Sequence, residues 1–277
     1  MNKLSTEKRE RVIAALVEGN SIRSTERMTD VHRDTIMRLS VAVGTACGRF
    51  LDEEVRYLTC ERIQMDEIWC FVGKKQGHLK DTDNPERLGH FWTYVAMCAD
   101  TKLIAAYSVG KQNLEVAQDF IKDLSQRIHG RVQLSSDSTN LYLKAVRRYF
   151  GRRADYGRVV KSYIAEPIGP GRYSPPHVAS VATETVYGAP QPEHISTSYV
   201  ERQNLGMRMN MRRFTRLTNG FSRKPENLRA AVSLHFFVHN YVKIHGSIRT
   251  TPAMASGITR KLWTIRDAVD LAEANQS

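Results

Sequence analysis

The stretch Arg62-Ile63-Gln64-Met65-Asp66-Glu67-Ile68-Trp69-Cys70-Phe71-Val72 decides the fold, because it is a largely apolar run that carries two adjacent acids in its middle. It predicts a β-strand, in which successive side chains point to opposite faces. That alternation places Asp66 with Gln64 on one face and Glu67 with Met65 on the other. A carboxylate in so apolar a segment requires a partner, and Asp66 is therefore a candidate functional residue.

The patterns that follow this strand predict an α/β core. They indicate strands at 91–99 and 103–109, a helix at 113–128, a strand at 131–136, a helix at 140–150 and a strand at 155–164. The order of three strands, helix, strand, helix and strand is that of the ribonuclease-H-like fold. In that fold the first and fourth strands lie side by side. We predict such a core over 59–245.

Two further segments complete the predicted domain organisation. Residues 165–198 hold six prolines, which predict an irregular insertion within the core. Residues 246–277 are predicted to form a C-terminal tail.

Residues 1–58 are predicted to form a small all-α domain. Apolar spacing and turn residues indicate helices at 7–18, 21–29 and 32–43. This order is that of a helix-turn-helix, whose second helix would enter a DNA major groove. The residues predicted to face the DNA are Arg33, Thr35 and Arg38. A three-helix packing or dimerisation unit fits the same pattern, because the segment is nearly neutral in charge.

The chain's excess of positive charge matches that of residues 202–266. The 277 residues include 41 Lys and Arg against 29 Asp and Glu, a formal net charge of +12. Residues 202–266 hold 13 of the basic residues and a single acid, Glu226. A helix predicted over 199–217 would carry arginines that suit a phosphate backbone. They are Arg202, Arg208, Arg212 and Arg216. A solvated surface helix is the alternative, although such helices usually mix both signs of charge.

Other classes of protein are disfavoured by composition. No apolar run reaches the roughly 20 residues that span a bilayer, and the N-terminus lacks the apolar segment of a signal peptide. We therefore expect a cytoplasmic, nucleoid-associated protein with no membrane partner. The four cysteines form no C-x-x-C pair, so a zinc site is not predicted and the thiols are expected to be buried.

Three acids form the candidate catalytic site: Asp66, Asp137 and Glu201. Two aspartates at strand positions and a glutamate on a later helix can hold a pair of divalent ions for phosphoryl transfer on nucleic acid. Mg²⁺ needs few protein carboxylates, because water and phosphate oxygens complete its shell. Alternatives remain open for all three acids. Asp66 could be an edge-strand residue on a polar face. Asp137 could cap the following helix, with Asp100 in its place, and Glu201 could be an acid favoured by the helix dipole.

Two blocks of this sequence resemble the insertion-sequence-one transposases. Gln64-Met65-Asp66-Glu67-Ile68-Trp69-Cys70-Phe71-Val72-Gly73-Lys74-Lys75 is similar to the first-aspartate motif of that family. Ser198-Tyr199-Val200-Glu201-Arg202-Gln203-Asn204, with the arginine-rich stretch that follows it, is similar to the glutamate motif. Ser135-Ser136-Asp137 resembles the second-aspartate position, and the likeness covers roughly 62–255.

The resemblance implies a DDE transposase that nicks transposon ends and joins the free 3′ hydroxyl to target DNA. It implies two Mg²⁺ ions bound by Asp66, Asp137 and Glu201, and Mn²⁺ is expected to substitute. Because a transposase handles two ends of double-stranded DNA, a homodimer or higher oligomer is expected. The zinc-finger-like cysteine cluster of some relatives is missing here, so recognition of DNA ends is expected to differ.

Two alternative functions stay open at this point. One is a DNA-binding regulator with an inactive transposase-like core. The other is a metal-dependent nuclease that cuts strands without joining them, since cutting and joining use the same acids and ions.

Overall fold

A six-stranded mixed sheet forms the centre of the protein. The structure is a computed structural model that describes residues 4–137, 141–164, 177–215 and 219–274. In chain order the strands are β1 (Arg62–Val72), β2 (Gly89–Cys98), β3 (Ile104–Gly110), β4 (Val132–Asp137), β5 (Ala154–Ile164) and β6 (His177–Tyr187). Across the sheet they follow the order β3-β2-β1-β4-β5-β6. β4 is parallel to β1 and β5, and the other pairings are antiparallel.

Helices precede, connect and follow these strands. In chain order they are α1 (Thr6–Val17), α2 (Ile22–Thr29), α3 (Arg33–Glu54), α4 (Leu114–Arg127), α5 (Leu143–Tyr149), α6 (Ser198–Asn210), α7 (Pro225–Phe237), α8 (Pro252–Ala255) and α9 (Ile265–Ala274). A π-helical turn over Val238–Val242 extends α7, and Arg212–Phe214 forms a 3₁₀ turn soon after α6. The predicted order of three strands, helix, strand, helix and strand is confirmed, and the chain has a mixed α/β architecture.

The insertion predicted to be irregular at 165–198 contains a strand, and that part of the prediction is wrong. Residues 177–187 form β6, which pairs antiparallel with β5 at the edge of the sheet. The six prolines all fall outside this segment, which is rich in β-branched valine and threonine, so nothing in it opposes strand pairing. Residues 165–176 lie outside the described part of the chain.

The N-terminal helices follow the predicted pattern except for the length of α3. The Ser21 hydroxyl accepts the Ser24 amide at 3.0 Å and caps α2, and Asp30 has a left-handed φ of 54° at its end. The sequence predicts that α3 ends near residue 43, but the helix continues to Glu54. Its buried side chains continue at helical spacing, and they include Val43, Ala46, Cys47 and Leu51. The DNA-binding role of these helices stays a prediction.

Close packing of α3 on α7 joins the N-terminal helices to the main hydrophobic core. At the crossing, a β-carbon added to Gly44 would lie 2.1 Å from the carbonyl oxygen of Ala230. The two backbones therefore touch at a point where a side chain has no room. Farther along α3, the Phe50 ring packs against Trp263 with centroids 4.7 Å apart.

The tail predicted at 246–277 contains α8 and α9. α9 packs against α1 and α3, and an ion pair joins Arg9 to Glu273. The first and last described helices are therefore in contact. All four cysteines are buried and free, as predicted. Over the described ranges, no helix is both long enough and apolar enough to cross a bilayer.

We expect Gly44→Ala to destabilise the protein by about 1–3 kcal/mol or more, because the added methyl group would force the α3 and α7 backbones apart. Gly77→Ala is the matched control, since a β-carbon there meets no atom within 4 Å. Urea unfolding monitored by tryptophan fluorescence measures both variants. Equal stability of the two variants would contradict the close helix crossing.

Candidate active site

Asp66 and Asp137 are brought together by the register of two parallel strands. The ladder between β1 and β4 runs from Arg62 opposite Gln133 to Gln64 opposite Ser135. Asp66 and Asp137 each lie two residues beyond that last pair, so the same register places them side by side. Parallel neighbours at one offset point to the same face of a sheet. The two acids thus stand where the β1–β4 ladder ends.

Glu67 joins these two acids, although strand alternation predicts that it points away. One carboxylate oxygen from each of Asp66, Glu67 and Asp137 lies within 4.8 Å of the others. The Asp66 side chain bends along its own strand, and its Oδ1 accepts the Glu67 amide at 2.9 Å. This bend brings the carboxylate toward the neighbouring residue, so the two acids approach one another despite the alternation.

Burial raises the pKa values of Asp66 and Glu67. Burial, together with the negative charges of Asp137 and Glu201, raises the pKa of Asp66 to about 6, against hydrogen bonds that lower it. Burial likewise raises the pKa of Glu67 to about 8, and the neighbouring carboxylates add to the rise. The hydroxyl of Tyr142, a fully buried side chain, donates to Glu67 Oε1 and acts in the opposite direction.

α6 is attached to β1 by two side chains from one face of the strand. The Gln64 Oε1 atom accepts the backbone amides of Tyr199 at 2.8 Å and Val200 at 3.2 Å, which satisfies free N–H groups in the first turn of α6. One turn later, Asn204 Nδ2 donates to Asp66 Oδ2 at 2.8 Å. Gln64 and Asp66 are two residues apart and share a face, so they orient the helix jointly.

A second glutamine positions the segment that leads into α6. The Gln133 side chain of β4 donates to the Gln191 carbonyl at 3.1 Å and accepts the Gln191 amide at 2.9 Å. Gln133 and Gln64 lie on neighbouring parallel strands. Together they fix the approach and the first turn of the helix that carries Glu201.

Glu201 lies beside the acidic cluster, but its carboxylate oxygen Oε1 has other partners. The Lys161 Nζ atom is 2.5 Å from Oε1, and the Thr197 hydroxyl donates to the same oxygen at 2.6 Å. Glu201 is one turn from Asn204 on α6, so both residues face β1. Glu67, and not Glu201, is therefore the third acid whose oxygen lies within reach of Asp66 and Asp137 in this structure.

The site has the donor chemistry of a divalent metal centre. Mg²⁺ binds oxygen ligands at about 2.0–2.1 Å, so two ligands of one ion are at most about 4.2 Å apart. The three clustered oxygens are close to that span and need only small side-chain rotations to share an ion. Asn204 Oδ1 is a buried acceptor with no hydrogen-bond partner among the described residues, and the residue is only 6% exposed. These residues fit Mg²⁺ or Mn²⁺.

Arg202 and Arg208 lie on α6 with Glu201, as predicted, but Arg212 lies beyond the end of that helix. α6 ends at Asn210, and Met211 adopts an extended conformation, so the helix predicted through residue 217 is wrong. The chain turns there because Met211 and Phe214 bury their side chains in the core. Arg202 is exposed and Arg208 is half-buried on α6. Arg212 is exposed beyond the helix, and its Nε donates to the Gly19 carbonyl at 3.2 Å. Arg216 lies outside the described residues.

A basic cleft of about 1470 Å³ separates the N-terminal helices from the segment that follows α6. Among the described residues that line the cleft, Asp34 is the one acid. The basic residues of the lining are Arg23, Arg33, Arg38, Arg212, Arg213, Arg223 and Lys224. Arg33, Arg38 and Arg212, predicted from two separate segments, thus face one cleft. Thr35 is half-buried beside it, and its hydroxyl accepts a long contact of 3.4 Å from Arg38 Nη2.

Several residues that position or join the acids were not predicted from the sequence, and they include Gln64, Glu67, Lys161 and Asn204. Asn204 could have been found, because it stands three residues after Glu201 and shares its helix face. Gln64 shares the face of Asp66 and was also recognisable from alternation. Glu67 was visible as a second acid in the same apolar strand, but alternation predicted that it points away from Asp66. Nothing in the local sequence marks Lys161, since its position depends on how separate strands meet.

Comparison with known proteins gives no family assignment. No protein-family model matches this chain, and no curated protein matches it. Among solved structures, it is similar to the Mos1 strand transfer complex at a TM-score of 0.24 with 14% identity, covering 56% of this chain and 59% of that chain. It is similar to the piggyBac transposase synaptic complex with hairpin DNA at a TM-score of 0.42 with 12% identity, covering 99% and 73%.

A third similar structure is the Mos1 transposase paired-end complex with the left transposon end. Its TM-score is 0.23 with 13% identity, and the match covers 56% of this chain and 60% of that chain. The chain therefore spans less than two thirds of the Mos1 chains that it matches. At TM-scores this low, the likenesses do not define the function, and the chain's own residues carry the inference.

We expect Glu67→Gln to flatten the pH dependence of stability in the absence of divalent ions. The folded pKa of Glu67, about 8, exceeds the ordinary value of 4.5, so the folded chain binds this proton more tightly than the unfolded chain. Protonation of Glu67 therefore contributes to the free energy of unfolding. This contribution is fully present below pH 4.5 and is lost as pH rises through 8. In EDTA at pH 8, the free energy of unfolding of Glu67→Gln should exceed that of wild type by a few kcal/mol. This difference should become smaller toward pH 5.

Urea unfolding across this pH range measures the effect, with Glu53→Gln on the exposed surface of α3 as the control. Glu53→Gln should follow the wild-type profile. If the Glu67 variant kept the wild-type slope, Glu67 would not be the buried acid described here.

Proposed function

We propose that this protein is a DNA transposase that cleaves transposon ends and transfers their 3′ hydroxyl ends into target DNA. The observation that carries the proposal is the placement of Asp66 and Asp137 at matching positions of two parallel strands, with the Glu201 helix tied to one of them. The core would then be ribonuclease-H-like. The motif likeness of these acids to insertion-sequence-one transposases agrees with the proposal.

Asp66, Asp137 and Glu201 are proposed to hold two Mg²⁺ ions, or Mn²⁺ in their place. Such an ion pair, when bound, activates an attacking oxygen and stabilises the leaving oxygen of an in-line displacement. Glu67 supplies an additional carboxylate at the same place. The protein's own contribution is to hold these acids close together despite their repulsion.

Neighbouring polar side chains would keep the acids in position. Asn204 orients Asp66 Oδ2, and Tyr142 orients Glu67 Oε1. Gln64 fixes the first turn of the helix that carries Glu201. These bonds are to buried or half-buried groups, so they limit side-chain rotation at the site, as a pre-organised catalytic site requires.

The basic cleft is proposed to bind the DNA that leads to the acidic site. α6 connects the two places, since Glu201 stands near its start and Asn210 lines the cleft. Nine residues of helix span about 14 Å, which corresponds to about four base pairs of B-form DNA. Arg33, Arg38 and Arg212 would contact phosphates in the cleft, and Thr35 lies beside them. Arg202 and Arg208 would contact the DNA backbone along α6, and Arg216 is proposed to bind DNA as well.

Transposition requires two DNA ends, and we therefore propose that the active form is at least a homodimer. An inactive regulator would keep the basic cleft without metal-dependent chemistry. A nuclease would cut DNA but form no joined product. The activity assay below separates these alternatives.

Wild-type protein with Mg²⁺ should cut duplex DNA carrying the element's ends and join the 3′ ends to a second duplex. Asp66→Asn, Asp137→Asn and Glu201→Gln should each reduce both products by at least about a hundredfold, because each removes charge from the transition-state site. Gel analysis with end-labelled strands reports cutting and joining separately. Cut DNA with no joined product would support a nuclease, and tight binding with neither product would support a regulator.

DNA affinity should be lower in a triple variant than in wild type, and it should depend less on salt concentration. The three substitutions are Arg33→Ala, Arg38→Ala and Arg212→Ala. Each lost phosphate contact should lower the slope of log affinity against log salt by about 0.9. Fluorescence anisotropy at several salt concentrations gives this slope. Arg131→Ala removes one exposed charge at the start of β4, at the opposite end of that strand from Asp137, and should leave the slope unchanged. An unchanged slope in the triple variant would place the DNA elsewhere.

A further inference from the structure

The Lys161 side chain places its ammonium group in contact with Glu201, one of the acids proposed to bind metal. Its Nζ atom is 2.5 Å from Glu201 Oε1, and the two side chains are 26% and 40% exposed. The Thr197 hydroxyl donates to the same oxygen. Two donors therefore converge on Oε1, one of the two oxygens that Glu201 can offer to a metal ion.

Lys161 lies on β5, the strand that pairs with β4 and therefore lies next to Asp137. Asp137 pairs with Val159 in the β4–β5 ladder, and Lys161 lies two residues farther along β5 on the same face. Strand spacing puts the α-carbons of Lys161 and Asp137 roughly 8 Å apart. A lysine side chain spans much of that distance, and the Lys161 ammonium group lies against Glu201 Oε1. Lys161 reaches Glu201 across 40 residues of sequence.

We propose that Lys161 is the resident counter-ion of Glu201, and that a divalent ion must displace its ammonium group from Oε1 before Glu201 can complete the metal site. This inference rests on the proposed metal-dependent function. In the chain without metal, Lys161 holds the Glu201 carboxylate beside the cluster and offsets one of its negative charges. Lys161 is thus a positioning residue that also competes with the metal.

The competition follows from the arrangement of charges. Asp66, Glu67 and Asp137 approach one another without Glu201, which leaves Glu201 to the ammonium group. A divalent ion bound near Glu201 would be repelled by Lys161 as long as the ammonium group stays at Oε1. Removing the ammonium group should therefore make metal binding tighter.

The test compares Mn²⁺ binding, measured by electron paramagnetic resonance of the free ion, between wild type and Lys161→Met. We expect Lys161→Met to bind Mn²⁺ about 3- to 10-fold more tightly, the size expected for removing one like charge from a partly exposed site. Methionine keeps the length and packing of the stem, and an ion pair this exposed adds little stability, so the variant should fold. Circular dichroism and the unfolding midpoint check this.

The matched control is Arg158→Met on the same strand. Arg158 lies on the opposite face of β5 and forms an ion pair with Glu184 of β6 at 2.9 Å. Arg158→Met removes one positive charge, as Lys161→Met does, from a side chain that does not contact Glu201. The Mn²⁺ affinity of Arg158→Met should therefore equal that of wild type. Equal tightening in both variants would show a general charge effect and would overturn the proposal.

A double-mutant cycle with Glu201→Gln completes the test. In that background Lys161→Met should no longer change Mn²⁺ affinity, because the carboxylate for which ammonium and metal compete is gone. Unchanged or weaker Mn²⁺ binding by a folded Lys161→Met single variant would overturn the counter-ion role while leaving the proposed function standing. Absence of Mn²⁺ binding by the wild type would overturn both.

Discussion

The register between the parallel strands β1 and β4 is the constraint on which the rest of the candidate site depends. A shift of one residue would turn Asp66 or Asp137 to the opposite face, because side chains alternate along a strand. The same face of β1 carries Gln64, which holds the first turn of α6, and Asp66, which accepts from Asn204. One register thus sets the spacing of two acids and the position of the helix that brings the third.

The site concentrates negative charge where water is scarce, and the structure offsets this with specific partners. Burial and like charges raise the pKa values of Asp66 and Glu67, which means that their ionised forms are destabilised in the folded chain. Asn204, Tyr142 and Lys161 each place a donor on one carboxylate oxygen. A bound divalent ion would neutralise the remaining charge, so folding and metal binding are expected to stabilise each other.

Positive charge is arranged separately from this acidic centre. The chain's excess of basic residues lies after Glu201, and the fold gathers part of it opposite α3 in one cleft. α6 spans the distance between the acids and the cleft, and Gly19, with a left-handed φ of 82°, packs against the end of that helix. The close α3–α7 crossing at Gly44 supports the other side of the cleft. Binding and chemistry would therefore share one rigid element.

Local sequence patterns were sufficient to predict the strand around Asp66, the Ser21 cap, the Asp30 turn and the order of the core elements. These depend on side-chain periodicity and backbone preference, which act between near neighbours. Tertiary structure alone decided that α6 ends at Asn210, that residues 177–187 add a sixth strand, and that Glu67 and Lys161 reach the acidic site. Those outcomes depend on which surfaces, distant in sequence, pack against one another and on where the pairing of two strands ends. Short-range sequence patterns do not contain this information.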